Sequence, residues 1–451
     1  MKRFFLIVFA FLCLPVFADF NEMNLPDSTE IRKAIAQSWF YGDLKSIRQK
    51  YSEVRMNAIA EPFQVRMEET EGSFAIIVAP QVKLKMDFYT EDGVEQKIVD
   101  EYPGDAFGSW ILSRNSLTGE GEWIRIYFSV NSEMYIQFAP NGNITLADFV
   151  IAGLYAAKGV PIGVPFEQLY TASFREILQA TEKILPWKYA DLKLGQFGSK
   201  LQMIGVIRKN LNRIHYSPAS CYDENGELVD IFSGERRKVE SKDFLELDSA
   251  GFLKWIADGL VEPVAGSHLY VKPLLVQTVE YEKIGLQAKL NQNLPLSFTL
   301  DWCRNLAAAC LSIRSSRHYL WNDSHADVKI EPFSAEVTSQ GITQTVGYIK
   351  DSGYEVAKLK PLLYVLASTE PTYCYLAAVK RPAKTSGNLP LEYFVFDECA
   401  VIFPYYDKNG HFECVIFENG KELSLSQFVN KYKGCFVNLS RLLTENSFFP
   451  D

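Results

Sequence analysis

The stretch Asp248-Ser249-Ala250-Gly251-Phe252 puts a hydroxyl at the first position of an expected helix. Asp248 suits the N-cap, because a short carboxylate accepts hydrogen bonds from the free amides of the first turn. Ser249 sits where those amides and the positive end of the helix dipole lie. Gly251 permits close backbone approach. Phe252, Trp255, Ile256 and Leu260 then form one apolar stripe. A cysteine in that place would lose its proton readily and attack as a thiolate. A serine hydroxyl starts many units higher and needs a base within hydrogen-bond reach. Ser249 is therefore the candidate nucleophile, with Asp248 and Gly251 shaping or binding beside it. The same residues also suit an ordinary capped helix or a turn.

The base has to come from elsewhere, and the chain holds five histidines. His215 precedes the motif and His268 follows its helix. His318 and His325 fall in an insertion-like region, and His411 lies beside a hairpin turn. Each reads as a surface or structural imidazole. The expected strand Phe394 to Val401 contains none; its carboxylates, Asp397 and Glu398, are the candidates for that position. At their ordinary pKa they are poor bases for a hydroxyl.

The elements that must position these groups follow from periodicity. Residues 19–69 read as a helical segment, with Ile31, Ile35, Trp39, Leu44 and Ile47 at helical spacing. Residues 70–142 read as an antiparallel β-rich domain, since Val82 to Phe88 alternates strictly and two strands flank Asn131-Ser132. Glu91-Asp92-Gly93 is a further turn. A helical bridge is expected over 143–194: one helix starts at Thr145-Leu146-Ala147-Asp148 and ends at Gly159, and another starts at the capping box Ser173-Phe174-Arg175-Glu176. Residues 195–451 follow, with an insertion at about 265–370 that carries a helix from Leu300 to Ser312. Later strands are expected around the Asp407-Lys408-Asn409-Gly410 turn, with a short helix from Leu425 to Tyr432. A helix carrying the candidate nucleophile, followed by antiparallel strands, is an α+β layout.

The motif and these later strands resemble the NlpC-type cell-wall endopeptidases, which belong to the papain-like superfamily. Their nucleophile lies in an Asp-Cys-Ser/Ala-Gly-Phe motif at a helix start, and a histidine follows on a later strand. The resemblance covers residues 248–252, the helix behind them and loosely 372–441. It implies a papain-like domain over 195–451 and a groove for peptidoglycan peptides above Ser249. Ser249 stands at the family's cysteine, and no residue matches its histidine. That pattern is expected of a relative that has kept the fold and lost the chemistry.

Composition bounds the rest. Met1-Lys2-Arg3, an apolar run from Phe4 to Phe17 and Ala18 read as a signal peptide over 1–18, so export to the periplasm or cell surface is expected, with no membrane span after cleavage. A net charge of −9 argues against nucleic acid as a partner. Lys200, Arg208, Lys209 and Arg213 read as a solvated helix face. Of eight cysteines, Cys13 leaves with the leader, and the odd remainder implies at least one unpaired thiol or an intermolecular bond. Most lie in apolar runs and read as buried hydrophobes. No zinc spacing, P-loop, Rossmann glycines, GxSxG or HExxH is present, so no cofactor or metal is expected. Three readings stand: an inactive envelope protein that binds peptidoglycan peptides or a partner, a hydrolase using Ser249, and an interaction protein unrelated to peptidoglycan.

Overall fold

Two-residue alternation builds the N-terminal half. In the computed structural model, which describes residues 25–90, 93–239, 243–281, 289–290, 295–384 and 392–450, Met134, Ile136 and Phe138 turn inward while their neighbours turn out. The expected leader with Cys13 and the turn residues Glu91-Asp92 lie outside the described residues. Short helices α1 (Thr29–Ile35) and α2 (Leu44–Ile47) precede the first strand. The strands are β1 (Glu53–Met56), β2 (Pro62–Thr70), β3 (Ser73–Pro80), β4 (Val82–Thr90), β5 (Gly93–Glu101), β6 (Trp110–Asn115), β7 (Gly121–Ile126), β8 (Met134–Asn141), β9 (Ile144–Ile151) and β10 (Leu154–Ile162). All but β4 and β5, which pair only with each other as a hairpin, join one antiparallel sheet. Trp39 and Phe40, in a π-helical turn after α1, pack on its inner face with Phe63, Phe74, Trp110 and Phe149.

The helix expected from Thr145 is instead the β9–β10 hairpin. Ala147, Phe149 and Ile151 alternate into the core, and β-branched and aromatic residues outweigh the apparent cap. Asp148, which mimicked part of a helix start, accepts from the Gly159 amide at 2.7 Å and from Lys158 Nζ at 2.8 Å. Gly159, at φ 63, sits within the irregular stretch of β10. The capping box at Ser173 and Glu176 does open a helix, α3 (Phe174–Thr181).

Helix α4 (Gly198–Asn210) leads into short strands β11 (Ile214–Tyr216), β12 (Ser220–Tyr222), β13 (Leu228–Asp230) and β14 (Leu245–Leu247). Helix α5 (Ser249–Ala265) follows, then α6 (Val271–Leu274) and α7 (Phe298–Ser315). The expected insertion returns part of the chain to the N-terminal sheet: β15 (Ala335–Thr338) pairs with β10, and β16 (Gly341–Gln344) forms the far edge. Then come β17 (Tyr354–Glu355), α8 (Leu359–Thr369), β18 (Tyr373–Lys384), β19 (Glu392–Tyr406), β20 (Phe412–Glu418), β21 (Lys421–Ser424), α9 (Leu425–Lys431) and β22 (Phe436–Leu443). The fold is α+β.

The second large sheet is antiparallel in the order β17-β22-β18-β19-β20-β21. One face packs on α5 and α7 through Leu376, Cys399, Val401 and Phe403. The other packs on α8 and α9 through Tyr375, Ala400, Ile402 and Phe428. The expected solvated face of α4 is only partly so. Arg208 is exposed and paired with Glu422, but Lys200 is fully buried and donates to the Pro404 carbonyl at 2.7 Å. The Lys200 amine lies over the Phe197 ring, 5.4 Å from its centroid, and burial pushes it down to about 7.

Candidate functional site

Asp248 has the extended backbone of an N-cap, and its carboxylate accepts from the Gly251 amide at 2.7 Å. Its own amide donates to the Ser220 carbonyl at 3.3 Å, which ties the start of α5 to β12. The approach is close enough to exclude a side chain at position 251: a Cβ there would stand 2.1 Å from Ser220 O. Trp302, buried on α7, donates from Nε1 to the Ala250 carbonyl at 2.8 Å. The first turn of α5 is thus fixed from both sides, and Ser249 is left partly exposed.

Cys399 meets it from β19. The Ser249 hydroxyl donates to the Cys399 sulfur, and the Cys399 thiol is hydrogen-bonded to Cys303 of α7. Both cysteines are buried. Burial pushes the Cys399 thiol well above its ordinary value, so it stays protonated. A neutral thiol does not take a proton from a serine hydroxyl. The arrangement is a hydrogen-bonded chain without a base.

A bulge decides which residue of β19 reaches Ser249. Val379 pairs with Glu398, but Lys380 pairs with Phe396, so Asp397 is the extra residue. Phe396 and Cys399 both face α5 and α7 as a result. Asp397 is exposed and its carboxylate accepts from Arg381 Nε at 2.8 Å. Glu398 belongs to the opposite face. Burial there raises its pKa, moderated by Lys431 of α9 and reinforced by Glu418 of β20. The structure brings Asp248, Ser249 and Gly251 together and leaves Asp397 and Glu398 away from them.

The histidines are dispersed. His215 stacks on Phe244 with ring centroids 3.9 Å apart. His268 lines a cleft beside α5, and its buried Nδ1 has no partner among the described residues. His325 has a left-handed backbone in the insertion, and His411 Nδ1 lies 3.5 Å from Asp407. Among the described residues no group of three or more His, Cys, Asp or Glu is placed to hold a metal ion. No helix among them is long and apolar enough to cross a membrane.

Sequence reasoning grouped Cys303 and Cys399 with the buried, apolar cysteines, although Asp301 and Arg304 flank the one and Asp397 and Glu398 precede the other. The signal for Cys399 was its place in the very strand searched for histidine. The cleft beside α5 has a volume of about 750 Å³ and is lined by Gly251, Trp255, Asp258 and Glu262 on one side and Glu224 and Glu227 on the other. Asp258 is already engaged, accepting from Lys254 Nζ at 2.7 Å and from the Leu269 amide at 2.8 Å.

A family model described as a domain of unknown function (DUF8515) matches residues 21–189, which takes in the N-terminal sheet through β10 and none of the residues around Ser249. No curated protein and no solved structure matches the chain.

Proposed function

We propose that this is an exported cell-envelope protein whose C-terminal half is a degenerate NlpC-type domain, kept for binding peptidoglycan peptides or an envelope partner and not for catalysis. The observation that carries this reading is the contact between Ser249 and Cys399. The start of a buried helix meets a strand of an antiparallel sheet at the junction where the resembled enzymes pair a thiol with an imidazole. Here the helix supplies a hydroxyl and the strand a buried thiol. Neither group titrates near neutrality, so proton transfer has no acceptor. The scaffold stands without its proton relay.

Binding is supported by the cleft along α5. Glu224, Glu227 and Glu262 line it. Such a lining suits a peptide that carries free amino groups, as diamino-acid residues of cell-wall stems do.

The test uses the chain without its leader. Retention on purified sacculi above a control protein is expected, with no new amino termini released from peptidoglycan fragments. Retention no greater than the control overturns the binding role. Release of amino termini that disappears in Ser249→Ala overturns the loss of catalysis.

A further inference from the structure

A second serine, far along the chain from Ser249, is held directly on an amine. Ser352 Oγ and Lys380 Nζ lie 2.6 Å apart. We propose that Ser352 and Lys380 form a nucleophile–base pair that hydrolyses small esters with an apolar acyl group.

The serine is held by a tight turn. Ile349 and Gly353 exchange two backbone hydrogen bonds of 2.8 Å, and the Ser352 amide donates to the Ile349 carbonyl at 3.0 Å. Asp351 and Gly353 both have left-handed backbone, at φ 52 and φ 87. Gly353 presses on β22 so closely that a Cβ would stand 2.0 Å from Val437 O. On the same strand, Phe436 pairs with Lys380 of β18. The turn and the lysine are therefore fixed to adjacent strands at adjacent positions, and the hydroxyl is presented to the amine without a flexible segment between them.

The amine is placed to be a base. Lys380 lies against the rings of Phe394 and Phe396, at 5.6 and 5.8 Å from their centroids. Burial lowers its pKa, opposed by Asp351. The Asp351 carboxylate is turned toward Arg304, accepting from Nη2 at 2.9 Å, and Arg304 is in turn forked onto Asp327. A serine activated by a desolvated lysine is a recurrent alternative to the serine–histidine pair. Phe394, 47 % exposed, supplies the apolar surface for the acyl group, and Phe396 belongs to the buried core.

The step balances as ester and water going to acid and alcohol. As Ser352 Oγ bonds to the carbonyl carbon, neutral Lys380 takes its proton and the carbonyl π pair moves onto oxygen. Collapse breaks the bond to the alcohol, which leaves with the proton from Lys380. Water then attacks the acyl group on Ser352, again giving a proton to Lys380. Release of the acid returns that proton to Oγ.

The test uses the full chain without its leader, with p-nitrophenyl acetate and butyrate as substrates and a fluorophosphonate probe mapped by peptide mass. Turnover above the uncatalysed rate is expected, with the probe on Ser352. Ser352→Ala should lose about 100-fold or more, the range for a lost nucleophile or base. Lys380→Arg keeps charge and hydrogen bonding but cannot act as a neutral base, and the same loss is expected in protein that still melts cooperatively. Ser315→Ala, at an exposed serine on α7 outside both sites, should keep full rate, and the mapped position of the probe separates this pair from the Ser249 site. Absence of turnover, a label at another residue, or full activity in Lys380→Arg overturns the proposal.

Discussion

The Ser249 hydroxyl rests on the Cys399 sulfur, so that the first turn of α5 and the middle of β19 meet through a serine and a protonated thiol. The contact is narrow enough to be read chemically. It links a capped helix start to one face of a bulged strand, and each substitution around it has a distinct expected outcome.

A thiol in place of the hydroxyl tests the contact itself. Ser249→Cys should form a disulfide with Cys399 under mild oxidation, because Ser249 is a hydrogen-bond partner of the Cys399 sulfur. Non-reducing peptide mapping checks it. A new thiol that stays free while remaining reactive shows that the two positions are not neighbours.

Gly251→Ala should be strongly destabilising, by about 3 kcal/mol or more, because the methyl would collide with the Ser220 carbonyl and force α5 away from β12. Gly205→Ala in α4 is the matched control. A Cβ there meets nothing within 4 Å, and the change should be neutral or stabilising by about 0.5–1 kcal/mol. Urea unfolding of both variants measures the contrast.

Burial raises the Asp248 carboxyl to about 6, partly offset by the amides of Gly251 and Ala250. The unfolded group ionises near 4. Between about pH 4 and 6 the folded chain therefore holds the extra proton, and this group makes stability fall as pH rises through that window. Asp248→Asn keeps a good cap and should flatten the fall. Unfolding free energies at pH 4, 5 and 6 decide it; an unchanged slope in the variant would falsify this assignment.

Lys200 works with the opposite slope. Its folded pKa, about 7, lies below the unfolded value near 10.4. Between those limits the unfolded chain binds more protons, so stability should rise from pH 7 toward pH 10. Lys200→Met should abolish that rise, at the cost of about 1 kcal/mol for the Pro404 carbonyl left without its donor. Chemical unfolding across that range measures it.

Much of the site was legible in the sequence because it is local. The Asp248 cap, the helix behind Ser249 and the capping box at Ser173 depend on side chains reaching amides a few residues away. The β19–β20 hairpin was legible for the same reason: Asp407 binds the amides of Asn409 and His411 within its own turn. The false helix at Thr145 failed on the same logic. Asp148 has the right chemistry for a cap, yet its partner is Gly159, across a hairpin. The burial of Lys200 was illegible because the groups that cover it come from Phe197 and from β19, the latter some 200 residues away.

Residue order alone determined that a serine would stand at a capped helix start and that antiparallel strands would follow, since both rest on hydrogen bonds and apolar periodicity within a few residues. Only the tertiary structure decided what that serine would touch. One extra residue at Asp397 rotates the strand's alternation, sending Glu398 to the far face and Cys399 to the near one. A shift of a single position in a two-residue repeat exchanges the faces of a strand, and nothing in the linear pattern of Phe394 to Val401 marks where that shift occurs.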